Sequence, residues 1–240
     1  MAIMHKFRAI NKLNKDALEN GQIYFAAPHE LDDPVDCKVN ILDCLNGVIA
    51  TAKGQNLEIL EKLRDEHKFI ELITHNLSNI GVCSFASNLD NERMWDEYAD
   101  HDRGMCLTYE IPEQFFTDHA GEILGIGLVE YGDDLLSEWF GSTAPEIITP
   151  FREFTTKFFI KLMTIKTLKW NYQVEGRIVS RKSGLYNLDK GFLKQVCFGS
   201  ETSQNNKEEV KKLLEKSGYK VKIYERRIKP DGRVENVEIN

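Results

Sequence analysis

The feature that most constrains this 240-residue chain is the order of its short apolar runs: β-prone segments outnumber amphipathic helical ones and do not alternate regularly with them. A doubly wound parallel sheet needs regular strand–helix alternation. The pattern therefore predicts an α+β protein, with a mixed, mainly antiparallel sheet and flanking helices. Strands are expected over residues 3–10, 22–26, 82–85, 104–110, 123–131, 169–177 and 195–198. Helices are expected over residues 13–20, ending at Gly21, and around Leu57–Leu63 and Phe69–Ile73. Further helices are expected at 91–98, 151–167 and 206–216. Residues 219–228 and 234–239 read as a hairpin turning at Lys229-Pro230-Asp231-Gly232. Proline and glycine are scattered and no linker stands out, so residues 1–240 read as one domain, with the helix and hairpin of about 206–240 as an appendage.

Composition excludes several functions. A net charge of −7 and a pI near 5.5 disfavour general attraction to nucleic-acid phosphates or anionic membranes. The basic residues between Lys220 and Arg233 read as the solvated face of a strand pair, with a local binding patch as the alternative. Five widely spaced cysteines, Cys37, Cys44, Cys83, Cys106 and Cys197, suggest neither a disulfide framework nor a zinc ribbon. No apolar run is long enough to span a bilayer and no signal peptide is evident, so a cytoplasmic protein with no membrane partner is expected. Rossmann, Walker, nucleophile-elbow and zincin motifs are absent.

Three clusters carry chemistry. If residues 169–177 form a strand, period-two alternation puts Trp170, Tyr172, Val174 and Gly176 on one face. Asn171, Gln173, Glu175 and Arg177 then share the other, with Glu175 on a strand seated by aromatic residues. A solvated Glu175–Arg177 pair is the plainer alternative. Asp32, Asp33 and Asp36, beside His29 and Cys37, read as an Asp-Asp-Pro turn or as oxygen ligands for a divalent cation. Cys37 has no basic neighbour in sequence to make it a thiolate nucleophile. Trp95 and Tyr98 read as core residues or as an aromatic wall for a planar ligand.

Lys6-Phe7-Arg8, Leu31-Asp32-Asp33-Pro34-Val35-Asp36, Cys83-Ser84-Phe85, Met94-Trp95 with Tyr98 and Gly104, and Trp170-x-x-Gln173-x-Glu175-x-Arg177 occur in that order. Together they resemble a bacterial family catalogued as a domain of unknown function, over about residues 6–199. That family tends to carry Asn at the place of Asp32 and Glu at the place of Gln173.

A more distant resemblance is to ADP-ribosyltransferases, through His5–Arg8, the following helix, Tyr24-Phe25 and Gln173-Val174-Glu175. It implies NAD as substrate, Glu175 and Gln173 as catalytic residues, and Lys6 or Arg8 on phosphate. Tyr24 would lie against nicotinamide, and Asp33, Trp95, Trp170 and Arg177 would be further binding residues. No metal is implied; a protein or nucleic acid would accept the ADP-ribose, or water would. A toxin or antiviral defence role suits such an activity. The alternatives are a non-enzymatic nucleotide- or protein-binding module, and a metal-dependent hydrolase using Asp32, Asp33 and Asp36.

Overall fold

The computed structural model describes residues 2–33, 35–143 and 150–239; Pro34 of the Asp-Asp-Pro turn lies outside them. The N-terminal part runs β1 (Ala2–Arg8), α1 (Lys12–Glu19), β2 (Gln22–Phe25), α2 (Ile41–Ile49), α3 (Gln55–Asp65), α4 (His67–Leu77) and β3 (Gly81–Ala86). Next come α5 (Glu92–Tyr98), β4 (Met105–Ile111), α6 (Glu113–Asp118), β5 (Ile123–Leu128), β6 (Glu130–Tyr131), α7 (Leu135–Thr143) and α8 (Phe151–Met163). The chain finishes with β7 (Ile165–Lys166), β8 (Glu175–Ser180), β9 (Gly184–Asn187), β10 (Leu193–Phe198), α9 (Gln204–Lys216), β11 (Lys222–Ile228) and β12 (Val234–Glu238).

Eight strands form one sheet in the order β12-β11-β10-β4-β1-β3-β8-β5. The β10–β11 pair is parallel and the other pairs are antiparallel, as an α+β protein requires. The C-terminal helix and hairpin are continuous with this sheet, because β11 bonds to β10 through Gln195–Phe198. Of the basic residues there, Arg227, Lys229 and Arg233 pair with acidic neighbours at the surface. Arg226 is buried instead, against Asp102.

Alternation along the strands sorts the core into two faces. Cys83 and Ile178 join Met4, Leu107 and Phe198 beneath Leu18 of α1 and Val210 and Leu214 of α9. Their neighbours Val82 and Val179 face the other way, into the helices α2, α3, α4, α7 and α8. Beside that second core, Phe7, Ala86, Cys106 and Cys197 pack on Met94 and Trp95 of α5.

Local chemistry explains several boundaries. Asn11, Asn91 and Ser203 cap α1, α5 and α9 by accepting from a backbone N–H three residues on. Gly21, at φ +65, ends α1 in the left-handed region that glycine enters without steric cost. Gly104 is set by crowding: a Cβ there would come within 2.3 Å of the Arg8 carbonyl oxygen.

The structure corrects the reading of residues 151–177. Helix α8 stops at Met163, where the Thr164 hydroxyl donates back to the Ile160 carbonyl at 2.8 Å. Ile165 and Lys166 then pair as a strand with Glu130 and Tyr131, so the helix expected to reach residue 167 ends four residues earlier. Leu168–Gln173 form a 3-10 helix, and only from Glu175 onward is the chain a strand. The hinge is Val174, at φ +44, an uncommon conformation for a β-branched residue. Trp170 and Tyr172 therefore do not back a strand. Helices α2, α6 and α7 and strand β9 are absent from the sequence-based expectation.

Candidate functional site

The site begins with a fork in the sheet. Along one edge of β3, the backbone groups of Val82, Ser84 and Ala86 point towards β1. Strand β1 meets this edge through a single register pair, His5 opposite Ala86. At the other end Ala26, just past β2, takes over by exchanging two hydrogen bonds with Val82, at 2.9 and 2.8 Å. Between the two, the Ser84 carbonyl accepts from the buried Lys6 ammonium at 2.6 Å. A strand edge cannot bury such a carbonyl without a partner, and a lysine from the diverging strand supplies it.

A cavity of about 290 Å³ occupies the fork. His5, Lys6, Phe7 and Arg8 all line it, although alternation sends them to opposite sides of β1. Burial, helped by the nearby Arg8 charge, lowers the Lys6 pKa to about 8.

The opposite wall is a buried network of charges. Arg177, 1% exposed, donates to Glu175 Oε2 at 2.8 Å, to Asp36 Oδ1 and Oδ2 at 2.8 and 2.6 Å, and to the Met163 carbonyl at 2.9 Å. The Lys166 ammonium donates to Gln173 Oε1 at 2.7 Å and to Glu175 Oε1 at 3.2 Å, and lies 3.4 Å from Asp36 Oδ2. Two cations thus balance two carboxylates. Burial pushes the Asp36 pKa upward, but the bonds and charge of Arg177 outweigh it, and the net direction is down. The Glu175 N–H donates to the Tyr131 hydroxyl at 2.9 Å, fixing the backbone as well as the carboxylate. Burial and the Glu175 charge push the phenols of Tyr98 and Tyr131 up to about 12, so both remain hydrogen-bonding hydroxyls.

Of the residues singled out in the sequence, Lys6, Arg8, Tyr24, Asp33, Trp170, Glu175 and Arg177 share this one cavity. The Glu175–Arg177 pair is buried, which corrects the reading of it as a solvated salt bridge. Gln173 is 1% exposed and does not line the cavity; it holds Lys166 through one end of its amide and donates to the Tyr98 hydroxyl at 2.7 Å through the other. From behind the wall it positions Lys166 and Tyr98, where the resemblance implies a catalytic residue. Trp95 is likewise behind the wall: its ring meets Phe7 edge-on at 5.1 Å and its indole N–H donates to the Leu89 carbonyl. Its helix neighbours Met94 and Tyr98 reach the cavity instead.

Sequence reasoning missed Lys166, which the expected helix 151–167 absorbed. It also missed Glu30, whose carboxylate accepts from the Tyr24 hydroxyl at 2.7 Å at the cavity wall.

Asp32, Asp33 and Asp36 all face the cavity, but Asp36 commits both oxygens to Arg177. Among the described residues, no group of three or more His, Cys, Asp or Glu side chains is placed to hold a metal ion. Cys37 is buried and its thiol is pushed up by burial, against the pull of Arg177 beside it, so it is not a thiolate.

Two residues that line the cavity each carry a buried polar atom with no hydrogen-bond partner among the described residues: Asp33 at Oδ2 and Trp170 at its indole N–H. Leaving each buried group unpaired costs about 1–3 kcal/mol.

Fold and site together define an α+β protein with a charged cavity in a sheet fork, opposite a carboxylate held by two cations. No family model matches the chain, and no curated protein or solved structure is found to be similar to it. No helix among the described residues is long and apolar enough to cross a membrane.

Proposed function

We propose that the fork cavity binds NAD and that the protein transfers ADP-ribose to a macromolecule or to water. What supports this reading is the meeting, around one cavity, of a fixed buried carboxylate with cations and aromatic rings from distant parts of the chain.

At about 290 Å³ the cavity is near the lower end of ligand pockets, so it takes a nucleoside-sized half of NAD, with Arg8 and Lys6 available to the phosphates. In the reaction the bond between the ribose C1′ and nicotinamide breaks, and its electron pair leaves with the nicotinamide nitrogen. Positive charge develops on the ribose, and Glu175 stabilises it through an orientation set before the reaction. The acceptor oxygen then bonds to C1′ and releases its proton to solvent.

A second reading has one observation in its favour. Both Glu175 oxygens already accept from cations, Lys166 and Arg177, which suits a carboxylate that shapes a nucleotide-binding cleft without turning the nucleotide over. Release of free nicotinamide from NAD, followed by chromatography, separates the two. Turnover by the wild type, lost in Glu175→Gln and unaffected by EDTA, supports the transferase reading. Binding of NAD without nicotinamide release supports the second. EDTA-sensitive activity lost in Asp33→Ala supports a metal-dependent hydrolase.

A further inference from the structure

Among the described residues, Asp33 and Trp170 are the two cavity-wall residues with a buried polar atom that has no partner, and they are chemically complementary. Asp33 is 2% exposed, and its Oδ1 is engaged by the Val35 N–H at 3.2 Å and lies 3.5 Å from the Lys169 ammonium. Oδ2 is left over. The Trp170 ring is held in place by Lys166, 4.8 Å from its centroid, and by Tyr172 at 6.0 Å. Lys169 ties the two residues together, since the same ammonium that reaches Asp33 lies 5.1 Å from the Trp170 ring centroid. An acceptor-bearing and a donor-bearing residue, both lining the cavity, therefore stand within reach of one ammonium.

An ionised carboxylate only accepts and an indole N–H only donates. A group that satisfies both must donate to one and accept from the other. We propose that Asp33 and Trp170 form a recognition subsite for a ligand edge carrying an amino donor beside an acceptor, as on a primary carboxamide or a 6-aminopurine. The choice of nicotinamide and adenine as sources of that edge rests on the NAD reading above. A carboxylate in place of the carboxamide meets Asp33 as a like charge. An oxo group in place of the amine brings a second acceptor to Oδ2. Both analogues are therefore rejected, whichever half of the dinucleotide enters.

The test is calorimetric titration of the full chain with nicotinamide, nicotinate, AMP and IMP. It uses wild type, Asp33→Asn and Trp170→Phe, with near-ultraviolet circular dichroism to check each fold. The wild type is expected to prefer nicotinamide over nicotinate, or AMP over IMP, by at least about tenfold, and the pair that shows the preference names the half that is bound. An asparagine amide can donate where the carboxylate only accepts, so Asp33→Asn should shrink that preference by about tenfold or reverse it. Trp170→Phe keeps a ring but loses the N–H, and should weaken both members of the pair about equally. The proposal is overturned if the wild type binds none of the four, as it would with only water in the subsite, or if Asp33→Asn leaves the preference intact. Nicotinamide release with an indifferent Asp33→Asn would sink this subsite alone. Asp33-dependent discrimination without any NAD turnover would sink the transferase reading and leave the subsite standing.

Discussion

Replacing Arg177 with methionine removes the guanidinium that hydrogen-bonds both carboxylates of the buried network. Arg177 donates to Glu175 at 2.8 Å and to both Asp36 oxygens at 2.8 and 2.6 Å. In its absence Asp36 and Glu175 face Lys166 alone, so a balanced cluster becomes one with an excess negative charge. Removing one partner of a buried ion pair costs about 3–5 kcal/mol, because the other charge stays desolvated. Total stability for a protein is about 5–15 kcal/mol, so the variant folds but with a narrow margin. For a chain of this length each kcal/mol is about 2–4 °C, and the midpoint of thermal unfolding should fall by roughly 6–20 °C.

The loss also depends on pH. The folded-state pKa of Asp36 is depressed, so its contribution is present above the ordinary aspartate value and is lost as pH falls through the folded value. In Arg177→Met the buried Asp36 protonates more readily, so the gap to wild type is widest near neutrality and narrows in acid. Urea unfolding followed by circular dichroism at several pH values measures this. Pairing Arg177→Met with Asp36→Asn in a double-mutant cycle should give a coupling of about 0.5–3 kcal/mol. A loss under about 1 kcal/mol at pH 7, or additivity in the cycle, would refute the claim that these charges act as a unit.

Lys6→Met removes the penalty of a buried ammonium, an advantage at pH 7 that the unpartnered Ser84 carbonyl offsets by about 1–3 kcal/mol. Since the folded-state pKa is near 8 and below the unfolded value, that advantage should fade as pH rises towards 10; a pH-independent difference in urea titrations would count against it. Gln173→Ala should lose about 1–3 kcal/mol by freeing Lys166 and the Tyr98 hydroxyl, and Gln173→Glu should recover part of it because a carboxylate still accepts from Lys166. Val174→Asn should be neutral or stabilising in the same assay, because Val174 is half exposed in the left-handed region that asparagine tolerates. Alkylation of the native protein by iodoacetamide, read by mass spectrometry, should label the partly exposed Cys44 ahead of Cys37.

Much of the frame follows from local chemistry that a sequence displays. Apolar runs such as residues 104–110 become strands because side chains on both faces of the sheet are buried there. Asn11, Asn91, Ser203 and Gly21 mark helix ends because their side chains or backbones satisfy the terminal groups there. Glu175 and Arg177 were recognisable as the chemistry-bearing pair, and the spacing of two does bring them into hydrogen bond.

What only the tertiary structure decided is everything that depends on chain segments far apart. Asp36 is 141 positions from Arg177, and no local pattern marks it as the partner of a buried guanidinium. The periodicity of residues 169–177 pointed to a strand, but Val174 breaks the period. Its conformation is held from outside, by the Ser87 N–H and hydroxyl donating to its carbonyl at 3.0 and 2.8 Å. Trp95 and Gln173 carry functional-looking side chains, yet burial among Phe7, Lys166 and Tyr98 makes them supports. The cavity itself exists because β1 and the end of β2 each satisfy part of one strand's edge and leave Ser84 to Lys6, a division that only the assembled sheet imposes.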